Sequence, residues 1–107
     1  MHDNQEFLLA AEATLDSLKR HLIAREDDDR AEFEVEERGG ALYVRFARPG
    51  ASFLVAANAT VRQIWISAAP SDLRLDWDSR MEKFIFPLTG ETIITLVDRL
   101  IREQHAG

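Results

Sequence analysis

The chain has no cysteine. Disulfides, thiolate zinc sites and cysteine-ligated iron–sulfur clusters are therefore excluded as features of its own. Histidine is almost as scarce. His2 and His105 lie near the ends, where fraying is expected, and His21 has no histidine or carboxylate at metal-ligand spacing. A Gly-x-Ser-x-Gly elbow, a phosphate-cradling glycine loop and a dinucleotide fingerprint are all missing, which removes the common nucleophile and nucleotide chemistries. No apolar run nears the ~20 residues of a membrane span. The polar, acidic start Met1-His2-Asp3-Asn4-Gln5-Glu6 is neither a secretory signal nor an Arg-rich transit peptide. A bacterial cytoplasmic chain with no membrane partner is the expectation. A basic surplus is missing as well: 13 Lys and Arg face 19 Asp and Glu, a net charge of −6. A nucleic-acid partner needs a basic face and is not expected.

What is present is acid, and it is concentrated. Residues 1–40 hold twelve Asp and Glu against five Lys and Arg, a net −7, whereas residues 41–107 are net +1. Such an imbalance favours cations or a basic protein surface. A length of 107 residues with 46% apolar content predicts a single folded domain over residues 1–107, with one two-layer core.

Asp3 or Asn4 is placed to cap a first helix, and Asp3 with Glu6 has capping-box spacing. Phe7, Ala11, Leu15, Leu18 and Leu22 recur at steps of three and four, one apolar stripe reaching about Arg25. Glu12, Asp16, Lys19 and Arg20 fall on the opposite face and read as solvated, with Asp16 meeting Arg20 or Lys19. Glu26-Asp27-Asp28-Asp29 breaks the period as an acidic connector. Glu32-Phe33-Glu34-Val35-Glu36 then alternates strictly, a strand with Phe33 and Val35 inward and three carboxylates outward. Gly39-Gly40 signals a hairpin into Leu42, Val44 and Phe46, and Arg48-Pro49-Gly50 turns the chain toward Phe53-Leu54-Val55. After a turn at Asn58-Ala59-Thr60, Gln63 to Ser67 forms a central strand. Pro70-Ser71-Asp72 turns again into Leu73 to Trp77, and Phe84-Ile85-Phe86 makes a short last strand. Thr89 is expected to cap a second helix with Glu91 in its positive first turn, striped by Ile93, Leu96, Val97, Leu100 and Ile101. The sum is an α+β two-layer sandwich: two terminal helices on one face of an antiparallel sheet of five to six strands.

Two groups carry chemistry. Glu26 to Glu37 packs eight carboxylates into twelve residues, oxygen ligands that suit hard ions such as Mg²⁺, Ca²⁺, Fe²⁺ and Fe³⁺. Successive acids on one strand face stand roughly 6.5–7 Å apart, too far for a tight cage. One or two carboxylates per ion, completed by water, is what Glu32, Glu34 and Glu36 permit. A charged rim that only aids solubility fits the same pattern. The other group is Arg62-Gln63-Ile64-Trp65-Ile66-Ser67. Ile64 and Ile66 share one face, so Trp65 stands with Gln63 and Ser67 on the other, as aromatics at partner surfaces do. Packing of Trp65 on a cross-strand Leu54 or Tyr43 is equally compatible with the alternation.

Gln63-Ile64-Trp65-Ile66-Ser67, a short polar turn and Arg74-Leu75-Asp76-Trp77 resemble the core signature of the frataxin family. The likeness extends to Gly39-Gly40-Ala41-Leu42, to Thr89-Gly90-Glu91 and to Ala11-Glu12-Ala13-Thr14-Leu15, in the same order along the chain. The resemblance implies the same two-layer fold and an iron-binding accessory role in iron–sulfur cluster assembly, without enzymatic activity of its own. It implies weak, surface-bound iron (Fe²⁺ or Fe³⁺) on an acidic ridge to which Glu32, Glu34 and Glu36 match, with Asp27, Asp28 and Asp29 as substitutes for ridge positions that fall here on Lys19, Arg20, Ile23 and Ala24. It implies docking on a cysteine desulfurase and iron–sulfur scaffold through Gln63, Trp65 and Arg74. The polar triplet usual in the preceding strand is Ala56-Ala57-Asn58 here, so only Asn58 keeps a polar contact. Trp77 is expected to support the sheet from within. The alternatives from other classes are a ferroxidase or iron store and a metal-free acidic interaction module. The expected state is a monomer, or an oligomer that forms with iron.

Overall fold

Phe7, Ala11, Leu15, Leu18 and Leu22 all lie buried, at 8% exposure or less, along α1 (Asp3–Glu26). The three-four period thus produces one continuous apolar stripe, and that stripe meets a sheet. The computed structural model describes residues 3–26, 33–46, 52–68 and 71–106. Asp27, Asp28, Asp29 and Glu32 lie outside the described residues, as do the expected turns at Arg48-Pro49-Gly50 and Pro70 and the side chains of Asp3 and Asn4.

Seven strands follow: β1 (Phe33–Arg38), β2 (Ala41–Phe46), β3 (Ser52–Asn58), β4 (Gln63–Ala68), β5 (Ser71–Asp78), β6 (Lys83–Phe86) and β7 (Glu91–Thr92), before α2 (Ile93–Ala106). They form one sheet in simple chain order, each strand antiparallel to the next. The expected count of five to six is corrected to seven, and β4 stands at the middle as its pattern predicts. Gly39 and Gly40 take φ of +56° and +85°, the left-handed pair that closes a two-residue hairpin and sets Arg38 opposite Ala41.

Two boundaries differ from expectation. Ser71 and Asp72 are strand rather than turn, because pairing with β4 continues to Ala68 opposite Ser71. Glu91 and Thr92 are likewise not in the second helix. They pair with Phe86 and Ile85 of β6, and this ladder holds them extended. The cap therefore moves to Thr92, whose Oγ1 accepts the Thr95 amide at 3.4 Å. Thr89 instead turns locally, its Oγ1 accepting the Glu91 amide at 3.2 Å. Glu91 takes two hydrogen bonds from Arg99 of α2, at 2.9 and 3.0 Å. Those bonds, with one from Thr89, hold its carboxyl below the usual carboxylate range.

One sheet face carries the core. Leu42, Val44, Val55, Ile64, Ile66 and Leu75 are none of them more than 1% exposed. Burial of this face against α1 and the Ile93, Leu96, Val97 and Ile101 stripe of α2 is the main stabilising term. Trp77 packs on Phe84 at 5.0 Å between ring centroids, as expected of internal support, although its Nε1–H is buried without an acceptor. His21 finds its carboxylate on α2: its Nε2 lies 2.9 Å from Asp98, which Arg25 also engages. Among the described residues no helix is long and apolar enough to cross a membrane.

Candidate functional site

With both helices on one side, the alternation of each strand delivers its other residues to the uncovered face. On β4 these are Gln63, Trp65 and Ser67; Ile64 and Ile66 on either side are fully buried. Register puts Trp65 between Ala56 of β3 and Arg74 of β5, and Gln63 between Asn58 and Asp76. Of the two other neighbours, Leu54 stands between Tyr43 and Ser67, diagonal to Trp65 on the same face, and the Tyr43 ring has Arg38 over it at 5.9 Å.

The contacts around Trp65 form a chain. The Arg74 guanidinium carbon lies 4.5 Å from the indole centroid, a stacked cation–π arrangement. Trp65 Nε1 donates to Gln63 Oε1 at 2.8 Å, and Gln63 Nε2 donates to Asp76 Oδ1 at 2.8 Å. Trp65 is half-buried by these neighbours, and Arg74 is exposed. No carboxylate among the described residues pairs with Arg74, although Asp72 and Asp76 flank it on the same strand face. Asn58, the remaining partner-binding candidate, is committed locally, since its Oδ1 accepts the Thr60 amide at 3.1 Å and shapes the turn into β4.

The acidic strand lies three strand spacings away, about 14 Å across the same face. Of the six carboxylates proposed as iron ligands, Glu34 and Glu36 are described. Glu34 is exposed and has no ion-pair partner among the described residues. Glu36 is engaged by Arg38 Nε at 2.6 Å and by Arg45 across the hairpin. Hydrogen bonding from Arg38 leads, with attraction from both guanidiniums, in holding the Glu36 carboxyl below the usual range. Glu37 points to the helix side and accepts from Lys19 at 2.6 Å, which raises the lysine pKa. Asp16 is paired with Arg20. Among the described residues no three His, Asp or Glu side chains converge on one point. Among the described residues, the open face of β1 therefore carries one carboxylate without an ion pair, Glu34, and one that two arginines hold, Glu36.

The whole chain, residues 1–107, matches the family described as the frataxin-like domain. The chain belongs to the frataxin-like family. The iron-sulfur cluster assembly protein CyaY of Stutzerimonas stutzeri is 28% identical over 78 residues, 73% of this chain and 70% of that protein. That of Pseudomonas aeruginosa is 27% identical over 90 residues, 84% and 82% of the two chains. The solved structure of frataxin from Psychromonas ingrahamii superposes with a TM-score of 0.71 at 17% identity, covering 94% of this chain and 90% of that one; this likeness carries the fold. Against the frataxin pattern, two features of this frataxin-like chain stand out. Lys19 and Arg20 of α1 are paired with Glu37 and Asp16, and Ala56 stands opposite Trp65 on β3. Sequence reasoning missed Arg45 and Asp76 as parts of the site; strand alternation places both on the open face.

Proposed function

We propose that this frataxin-like protein is an accessory factor of iron–sulfur cluster assembly, without catalytic chemistry of its own. It docks by its uncovered sheet face on a cysteine desulfurase–scaffold complex and alters the rate of sulfur transfer. The observation that carries the reading is Trp65 on that face, its ring stacked by an Arg74 whose donors have no carboxylate partner among the described residues. A rigid aromatic and an arginine in one patch are the residue types that dominate binding energy at protein interfaces. The names of the curated relatives, iron-sulfur cluster assembly proteins, supply the pathway. The test is the rate of cysteine desulfuration by a desulfurase–scaffold complex as the protein is added. A saturable change supports docking, and a flat response through a large excess removes it.

Iron enters this reading as a weakly held ion on β1. Glu34 is the ligand available there, with water filling the remaining positions, and Glu36 contributes only if it leaves Arg38 and Arg45. Titration with Fe²⁺ should broaden the Glu34 amide signal more than that of Glu36. Glu34→Gln should abolish the effect on β1, and Glu36→Gln should leave it largely in place. Equal broadening of the two would make Glu36 a ligand beside Glu34, and none would remove β1 as the iron site. The pairing of Glu36 and Glu37 with cationic side chains favours a second reading, an interaction module that needs no metal. Desulfurase binding that is unchanged by a chelator selects it.

A further inference from the structure

Gln63 sits between two groups that fix which way round its amide lies. The indole Nε1–H only donates, so the atom facing Trp65 must be the carbonyl oxygen. An ionised carboxylate only accepts, so the atom facing Asp76 must be the amide nitrogen. Turning the amide over sets donor against donor at one end and acceptor against acceptor at the other. Both ends therefore reject the flipped state, and the lock holds only while Asp76 is present. A glutamine in water keeps several rotamers, and its χ3 well is broad. Tied at both ends, it becomes a fixed acceptor that holds the indole edge. The ring in turn is the platform for Arg74. Asp76 is two residues from Arg74 on the same strand face, yet it accepts from Gln63 rather than from the guanidinium, and among the described residues the arginine fork has no carboxylate partner.

We propose that Asp76 is the positioning residue of this face: through Gln63 it fixes the Trp65 ring, and so presents Arg74 to a carboxylate on the partner. The inference rests on the docking reading above. Ordering three side chains before encounter lowers the entropy lost on binding, which is why a residue that touches no partner changes affinity.

The test separates the relay from the docking. Asp76→Leu removes the acceptor at an exposed strand position that tolerates an apolar side chain, and Asp76→Asn keeps an acceptor oxygen. In the free protein, the Trp65 indole N–H resonance of Asp76→Leu should shift and exchange faster with solvent, whereas Asp76→Asn should resemble wild type. Affinity for the desulfurase–scaffold complex should fall about tenfold in Asp76→Leu and recover in Asp76→Asn, a loss matching one hydrogen bond to a charged group. An unmoved indole signal in Asp76→Leu overturns the proposal. So does an affinity loss without that signal change, because Asp76 would then touch the partner itself. A shifted indole with unchanged affinity supports the relay and counts against the docking reading alone.

Discussion

Replacing Phe84 with alanine should remove about 3–5 kcal/mol of folding stability. Phe84 is 1% exposed and stands where three elements meet. Its ring meets Phe7 of α1 edge-on, at 5.6 Å and 82°, and Trp77 of β5 at 5.0 Å. Truncation forfeits the transfer term and both aromatic contacts, and the surrounding strands leave little room to collapse into the space. A domain of this size holds about 5–15 kcal/mol in total, so the variant lies close to the threshold of folding. The urea midpoint should fall by roughly 2–3 M at a slope of about 1.5 kcal/mol/M. Phe84→Leu should lose less than half as much. A loss below about 1 kcal/mol for the alanine variant would show that the Phe7–Phe84–Trp77 contact is not the joint between α1 and the sheet.

That joint is legible in part from the sequence. The stripe from Phe7 to Leu22 follows from helical period alone, and Phe84 and Phe86 follow from strand alternation. Which stripe residue meets which strand residue does not, because it depends on how the helix crosses the sheet. The same divide runs through the rest of the molecule. Gly39-Gly40 announces the first hairpin, and its two-residue turn fixes the β1–β2 register. From that register Glu36 lies opposite Tyr43 and diagonal to Arg45, so its double pairing was available to a reading that counted cross-strand neighbours and not only net charge. By contrast, the helix cap at Thr92 and the His21–Asp98 contact were out of reach. Local signals favour Thr89, and only the tertiary pairing of β7 with β6 displaces it. Asp98 is 77 residues from His21, beyond any spacing rule. On the open face, period two was enough for Trp65, whereas the Gln63–Asp76 bond required the β4–β5 register.

Trp65→Ala should weaken binding to the desulfurase–scaffold complex by about 30-fold or more, the scale of an interface hot spot of at least 2 kcal/mol. It should also abolish the effect on sulfur transfer at concentrations where wild type saturates. The fold should survive, because the ring lies on the uncovered face while Ile64 and Ile66 hold β4 in the core. Removal of the ring deprives Arg74 of its stacking surface and leaves Gln63 Oε1 without its donor, so both remaining groups lose order together. Trp65→Phe separates these effects: a ring remains beneath Arg74, but no N–H remains for Gln63. Its affinity should fall between the other two. Glu34→Gln gives the comparison that decides the origin of the energy. An exposed rim charge acts mainly on the association rate, so its effect should be a few-fold and should fade with added salt. The Trp65 effect should lie in the dissociation rate and persist in salt. Should Trp65→Ala bind within twofold of wild type while Glu34→Gln abolishes binding, the acidic strand and not the indole face is the docking surface, and the partner's contribution is a basic patch.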